Sequence, residues 1–224
     1  MGVSMFSEAF RELFPFWDGI TDEERQFICD NSKALTYQKG ATVHDGEECL
    51  GVIFIRSGCL RVYILSEEGK EITLYRLHSG NLCMLSASCV LQSITFDVHV
   101  DAEENSECYV ISGWAYSKVS ESNSNIKIFN LETALSRFSD VMWVLQQILF
   151  MSMDRRLAIF LLDESSRTGS DVIELTHEQI AKYMGSAREV VSRMLKYFSS
   201  EGIVNSSRKG VRITDKKRLR ALAL

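Results

Sequence analysis

Four polar residues near the carboxyl end of the chain have side chains that can read the edges of base pairs: Arg188, Glu189, Ser192 and Arg193. Arginine pairs with guanine through two hydrogen bonds, glutamate accepts one from the cytosine amino group, and serine can donate or accept. Apolar residues at helical spacing form the opposite stripe of this segment: Val190, Val191, Met194, Leu195 and Phe198. The pattern predicts a helix whose polar face enters the major groove of DNA.

A helix-turn-helix would position that polar face. Thr176 can cap a first helix, because its hydroxyl accepts a free backbone N–H of the first turn. Ile180 and Ala181 supply the buried face of this helix, and Gly185 ends it where a left-handed backbone is needed. Ser186 is then expected to cap the second helix. Such an arrangement binds DNA without a catalytic group.

A basic hairpin follows the second helix. The residues GIVNSSRKGVRITD predict two short strands with Arg208 and Lys209 at their tip, a wing that can reach the phosphate backbone. His177 is expected to contact a phosphate or water. The predicted DNA-binding residues are Thr176, His177, Ser186, Arg188, Glu189, Ser192, Arg193, Arg208 and Lys209.

The charge of the chain is unevenly distributed. From Ser152 to Leu224 there are 14 lysines and arginines against 9 acidic residues, a net charge of +5. The preceding residues hold the remaining 11 basic and 21 acidic side chains, a net −10 that brings the whole chain to −5. An acidic body with a basic carboxyl-terminal part fits contact with phosphate through that part.

The amino-terminal half changes from a helical pattern to a strand pattern. Met1 to about Ser32 is predicted helical, with a capping box from Thr21 to Glu24. From about Ala34 to Ile111, short apolar stretches alternate with glycines, and SEEGKE is a predicted hairpin tip. Regularly spaced strands of this kind indicate a sandwich or barrel.

After Trp114 the apolar period becomes helical again. Six residues are spaced 4, 3, 4, 3 and 4 apart, the seam of a two-stranded coiled coil: Leu131, Leu135, Phe138, Met142, Leu145 and Leu149. Val141, Val144 and Ile148 widen the apolar surface, so one side could meet a second copy while another packs on the chain's own domain. We expect a homodimer, with a hinge from Phe150 to Asp154.

Other residue patterns limit the expected cellular location of the protein and the chemistry that it can carry out. The six cysteines are scattered singly and are expected to be buried thiols rather than disulfides: Cys29, Cys49, Cys59, Cys83, Cys89 and Cys108. His44 and His78 are expected on surface turns, and no histidine shows metal-ligand spacing. Neither a secretory signal nor a membrane-length apolar run occurs, so a cytoplasmic location is expected. No enzyme motif occurs, and the paired histidines of a cupin are absent.

These motifs together resemble the CRP/FNR superfamily of bacterial transcription regulators. The resemblance rests on LTHEQIAKYMGSAREVVSRMLKYFSSEGIV and VHDGEECLGVIFIRSGCLRVY. It implies an α+β chain: a cyclic-nucleotide-binding-like β-barrel of jelly-roll type in residues 1–128, a dimerisation helix and hinge in 129–151, and a winged helix-turn-helix in 152–224. Arg188, Glu189 and Arg193 match the base-reading positions of the cyclic-AMP-binding branch, and Glu189, Ser192 and Arg193 match those of the FNR branch. Inverted-repeat DNA and RNA polymerase are the implied partners.

The resemblance weakens in the sensory half. Met84 and Leu85 stand where cyclic-nucleotide binders have Gly-Glu, and Phe96 and Asp97 stand where they have Arg-Ser. An aspartate would repel a cyclic phosphate, so cyclic AMP is not the expected effector. No cysteine occurs in the first 28 residues, so the iron–sulfur cluster of the FNR branch is not expected either.

The effector is left open among several classes. LCMLSASCVL is similar to the haem-binding segment of the family's carbon-monoxide sensor, with Cys83 at the thiolate position and His99 or His78 as a second ligand. A small apolar or aromatic effector, a redox role for Cys83 and Cys89, and no recognisable effector are the alternatives. The candidate pocket residues are Cys83, Met84, Ser86, Cys89, Phe96, Val141, Met142 and Leu145. A different class of function is a metabolite-sensing barrel that acts as a protein-interaction module.

Overall fold

The strands of the amino-terminal half form two four-stranded sheets. The computed structural model describes residues 2–46, 50–84, 97–207 and 210–224. In chain order its first eight strands are β1 (Ser32–Tyr37), β2 (Thr42–His44), β3 (Val52–Ser57), β4 (Cys59–Leu65), β5 (Glu71–His78), β6 (Leu82–Cys83), β7 (His99–Ala102) and β8 (Ser106–Ile111). One sheet has the order β1-β8-β3-β6 and the other β2-β7-β4-β5. The predicted jelly roll is confirmed, although its described strands form two packed sheets rather than a closed barrel.

Alternation along the strands builds the core between the two sheets. On β3, Ile53 and Ile55 are fully buried in this core, which they share with Leu60 and Val62 of β4 and with Val110 of β8. Because successive side chains of a strand point to opposite faces, the intervening residues of β3 point away from it. Strand β3 therefore has to be covered on its other face as well.

The amino-terminal helices cover that other face. Helix α1 (Gly2–Leu13), a 3-10 turn (Trp17–Gly19) and α2 (Asp22–Asp30) bring a cluster of aromatic rings against Phe54 of β3. The ring centroids of Phe14 and Phe54 lie 4.2 Å apart, and those of Phe10 and Phe54 lie 5.8 Å apart. The predicted capping box starts α2: Thr21 Oγ1 accepts from the Glu24 N–H at 3.2 Å, and Glu24 Oε2 accepts from the Thr21 N–H at 2.8 Å.

Two further helices follow the sheets, α3 (Gly113–Ser122) and α4 (Ser124–Phe150). Helix α4 begins five residues before the predicted position 129. Asn123 explains the earlier start, because its Oδ1 accepts from the Asn125 N–H at 3.0 Å and its carbonyl accepts from the Lys127 N–H at 3.2 Å. The helix ends at Phe150, inside the predicted hinge.

The carboxyl-terminal part contains α5 (Met153–Thr168), β9 (Val172–Ile173), α6 (His177–Met184), α7 (Arg188–Ser200), β10 (Val204–Ser207), β11 (Gly210–Ile213) and α8 (Lys216–Ala223). Its three strands pair in the order β10-β11-β9. Strand β9 and helix α8 were not predicted. Asp215 caps α8 by accepting from the Arg218 N–H at 2.9 Å, and Leu219 of this helix is fully buried.

The chain divides into two compact units. One contains Met1–Ile64 and Leu74–Val141, and the other contains Leu65–Thr73 and Met142–Leu224. Among the described residues, no helix is both long and apolar enough to cross a membrane.

Candidate nucleic-acid interface

Helix α6 begins as the sequence predicts. Thr176 Oγ1 accepts from the Gln179 N–H at 3.2 Å, and Gln179 Oε1 accepts from the Thr176 N–H at 2.8 Å. This capping box satisfies two backbone donors at the start of the helix. Ile180 and Ala181 are buried in the core of the second unit, as expected. The cap and the buried face together fix the first helix of the helix-turn-helix.

Gly185 makes the turn between α6 and α7. Its φ of 57° and ψ of 42° lie in the left-handed region that favours glycine. The Gly185 N–H bonds the Lys182 carbonyl at 3.3 Å, and the Ser186 N–H bonds the Ala181 carbonyl at 2.9 Å. These are the two hydrogen bonds of a Schellman motif. A Cβ at Gly185 would also lie 3.1 Å from Cγ1 of Ile72, which belongs to the same unit.

The prediction that Ser186 caps α7 is wrong. The N-cap residue is Ala187, which has no side-chain cap, and α7 begins at Arg188. The Schellman motif occupies the Ser186 N–H and places this residue in the turn. Its hydroxyl lies instead 3.8 Å from the sulfur of Met153.

Helix α7 presents the predicted polar face to solvent. Val191, Leu195 and Phe198 are fully buried, whereas Val190 and Met194 are half-buried at the margins of the stripe. On the other side, three of the predicted base-reading residues are exposed and Ser192 is half-buried: Arg188, Glu189 and Arg193. Within the described part of the chain, no hydrogen bond or ion pair occupies those three charged side chains. A rigid helix therefore carries charged groups that are available to a ligand.

His177 connects the two helices and the wing. Its Nδ1 lies 2.9 Å from Ser192 Oγ, and its Nε2 lies 3.0 Å from Ser206 Oγ on β10. Burial, and secondarily the positive charge of Arg188, lower the pKa of the half-buried imidazole. The expectation that His177 simply faces phosphate or water is thus incomplete. Ser206 was missed, because no pattern within its strand distinguishes it from the neighbouring serine.

The predicted wing is formed by β10 and β11. Their antiparallel register pairs Val204 with Ile213 and Ser207 with Gly210. Strand β11 also pairs with β9 through Val211 and Ile173, which ties the wing to the buried core of the unit. Arg208 and Lys209, the predicted tip, lie outside the described residues.

Helix α4 exposes the predicted coiled-coil seam. The six seam side chains are exposed to solvent by 43–70 %: Leu131, Leu135, Phe138, Met142, Leu145 and Leu149. Val141 instead packs against the core between the two sheets. Helix α4 therefore leaves an apolar stripe exposed to solvent on one side, while another side packs against the sheets.

The candidate effector residues separate onto different sides of β6. Cys83 is fully buried in the core between the sheets, where it pairs in register with Ile53, whereas Met84 packs in the aromatic cluster under the amino-terminal helices. Met142 and Leu145 are exposed on α4. Ser86, Cys89 and Phe96 lie outside the described residues. The structure thus brings Val141 and Cys83 to one core and does not bring Met84 there.

Of the two histidines proposed as a second haem ligand, His99 does not join Cys83, and His78 is the half-buried last residue of β5. His99 stacks on Tyr63 with ring centroids 5.3 Å apart, and its neighbours Val98 and Val100 occupy the inner core. Since side chains alternate along β7, His99 points away from Cys83. The expectation that His44 lies on a surface turn is wrong, because this residue is buried on β2, where burial lowers its pKa.

The described cysteines are buried thiols, as predicted: Cys29, Cys59, Cys83 and Cys108. Burial, helped by Asp30, raises the pKa of Cys29 to about 11. Burial raises the pKa of Cys108 to about 12, and proximity to Cys83 adds to this shift. Burial followed by the charge of Glu103 raises the pKa of Cys59 to about 12. Cys49 and Cys89 lie outside the described residues.

Two packed sheets followed by a long helix and a winged helix-turn-helix define the architecture of a DNA-binding protein. Residues 34–123 match the family model of the cyclic nucleotide-binding domain, and residues 155–222 match that of the Crp-like helix-turn-helix domain. A crystal structure described as a Crp/Fnr-family transcriptional regulator from Eubacterium rectale is 42% identical, covers 95% of this chain and 99% of its own, and superposes with a TM-score of 0.91. The chain belongs to the CRP/FNR superfamily of transcription regulators.

Curated relatives are more distant. The transcriptional activator protein anr of Pseudomonas aeruginosa is 26% identical over 195 residues, which are 83% of this chain and 78% of that protein. The cAMP-activated global regulator Vfr of the same organism is 24% identical over 176 residues, which are 75% of this chain and 82% of that protein. A transcriptional activator and a cAMP-activated regulator are therefore similar to this chain at comparable identity.

Proposed function

We propose that this chain is a homodimeric transcription regulator that reads an inverted-repeat operator through α7. The observation that carries the proposal is the exposed face of Arg188, Glu189 and Arg193 on a helix that is held by a capping box and a glycine turn. Arginine and glutamate at the start of such a helix match the donors and acceptors of guanine and cytosine in the major groove. Ser192 would contribute a fourth contact from the same face.

The exposed seam of α4 supports the dimer. Six large apolar side chains in water at coiled-coil spacing are costly to a monomer, and a second copy of the same helix would cover them. Two-fold symmetry would then present two copies of α7 to two inverted half-sites. Such half-sites lie ~34 Å apart, one turn of DNA.

The inner core of the first unit is the proposed place of regulation. Val141 of α4 packs against the core that contains Cys83 of β6, and Tyr75 of β5 stacks under the Arg137 guanidinium of α4 at 5.0 Å. An apolar or aromatic effector suits these surroundings better than a cyclic phosphate does. Haem at Cys83 is the alternative, and an absorbance spectrum of the purified protein tests it: a Soret band that Cys83→Ala removes would favour haem over an apolar effector.

The reading face is tested with duplexes selected from a randomised library by the full chain. Arg193→Ala is expected to lose ~1–3 kcal/mol of discrimination at one base of each half-site, because a bidentate pair is removed. Arg220→Ala is the matched control, since Arg220 is an exposed arginine of the same unit on α8. Anisotropy titrations should show weakened operator preference only for Arg193→Ala, with residual binding that salt abolishes.

Two results of these titrations would contradict the proposed reading of DNA. Operator preference that is unchanged in Arg193→Ala would remove α7 as the reading element. Binding that is equally weak for every duplex, in the unaltered chain as well, would exclude a sequence-specific operator. Contact with RNA polymerase is proposed from family membership, and transcription reconstituted on the selected operator tests it.

A further inference from the structure

The two hydrogen bonds of His177 place a titratable group behind the reading face. Ser192 belongs to α7 and Ser206 to the wing strand β10, so the ring spans two elements that would both face DNA. We propose that His177 is a positioning residue that sets whether the Ser192 hydroxyl offers a hydrogen-bond donor or an acceptor to its base, and that this couples operator choice to pH. The inference rests on the proposed reading of DNA by α7.

Next to a neutral ring, only one of the two serine hydroxyl protons remains available to DNA, because the other is donated to the unprotonated ring nitrogen. With the proton on Nδ1, the ring donates to Ser192 and must accept from Ser206, so the Ser206 hydroxyl cannot donate to a phosphate. With the proton on Nε2, the roles exchange, and Ser192 must donate to the ring. Ser192 then offers DNA only lone pairs, which suit the amino groups of adenine or cytosine.

The protonated ring changes both roles at once. An imidazolium donates from both nitrogens, so both serines accept from it and both hydroxyl protons become available. Ser192 can then donate to an acceptor such as thymine O4 or guanine O6 while Ser206 donates to a phosphate. Protonation therefore favours a base with an acceptor at this position and strengthens the contact of the wing.

The charges around the ring set the direction of the pH dependence. Arg188 of α7 opposes protonation, Glu178 follows on α6, and β10 contributes no titratable side chain. A phosphate of bound DNA would act in the opposite sense to Arg188 and would raise the pKa of His177. Affinity should be constant above the pKa of the bound state, rise as the pH falls, and level off below the pKa of the free state. Each unit of difference between the two pKa values corresponds to about a tenfold gain for each His177, and so to about a hundredfold gain for a dimer on both half-sites.

The test combines binding and spectroscopy on the full chain. Duplexes selected at pH 6 and at pH 8 are titrated at constant ionic strength with the unaltered protein, His177→Asn and Ser206→Ala. Asparagine does not titrate and cannot reach both serines, so His177→Asn should abolish the pH dependence and lower discrimination at the Ser192 base about threefold to tenfold. Ser206→Ala keeps the bond between His177 and Ser192, so it should lower affinity equally for all bases at that position.

Controls separate this inference from the proposed function. Glu178→Gln removes an exposed charge next to His177 and should keep the pH dependence, and thermal unfolding establishes that each variant is folded. The ¹⁵N shifts of the imidazole should report protonation at a higher pH with the selected duplex than without it. Operator preference with the same pH dependence in His177→Asn would overturn the inference and leave α7 as the reader. Absence of operator preference in the unaltered chain would instead overturn the proposed function.

Discussion

Replacing Leu135 by glutamate tests the dimer that the reading of an inverted repeat requires. Leu135 is 66% exposed in the single chain and is the second of the six seam residues. Full burial of a leucine contributes ~1.5–3 kcal/mol, so covering two-thirds of it contributes about 1–2 kcal/mol per chain. A two-fold interface contains the residue twice, which gives about 2–4 kcal/mol per dimer. The dissociation constant of the dimer should therefore rise about 30- to 700-fold.

Sedimentation velocity over a concentration series measures this change. Ser136→Glu is the control, because it adds the same charge to the same helix at an exposed position ~100° around the axis from Leu135. The Leu135→Glu variant should sediment as a monomer at micromolar concentration and should lose binding to the full operator more than to an isolated half-site. A dimer of unchanged stability in Leu135→Glu would refute the assignment of the seam.

Two further predictions concern the stability of the reading turn and the state of a buried thiol. Gly185→Ala should lower the free energy of unfolding by more than the ~1–2 kcal/mol that a left-handed backbone conformation costs at an alanine. The added Cβ would also displace Ile72, which increases the loss. Gly169→Ala is the control, since Gly169 has a φ of 65° with nothing within 4 Å of an added Cβ, and equal losses in urea titrations would contradict the packing argument. Because burial raises the pKa of Cys108 to about 12, about one thiol in ten thousand is ionised at pH 8. Peptide mapping after iodoacetamide should find this residue labelled only in unfolded protein, and labelling at the same rate in native protein would show that it is accessible.

Local chemistry made the helix ends and the turn predictable. Thr21 and Thr176 cap helices through side chains three residues from their partners, and Gly185 adopts the one backbone conformation that favours glycine. The same local rules failed at Ser186, where two candidate roles compete. The Ser186 N–H bonds the Ala181 carbonyl in the Schellman motif, the N-cap is Ala187, and the second helix begins at Arg188, two residues after the expected cap.

Features that depend on distant pairing were not predictable. Strand β9 has two residues and exists as a strand only through its pairing with β11, in which Ile173 lies opposite Val211. His177 and Ser206 are 29 positions apart and meet because α6 and β10 pack around one core. Neither residue belongs to a period or motif that indicates the other. Burial of His44 likewise depends on the pairing of β2 with β7, not on the turn residues beside it.

The placement of Val141 gives the proposed regulation a physical route. Val141 packs in the core that contains Cys83, while Phe138 and Met142, which flank it within one turn of α4, are exposed on the seam. A helix is stiff over this distance, so an effector that moves Val141 has to shift or rotate the neighbouring seam residues. An effector bound in that core would therefore favour one arrangement of two paired helices over another. In the proposed dimer the spacing of the two reading helices would depend on that arrangement, so ligand binding and operator affinity would be thermodynamically coupled.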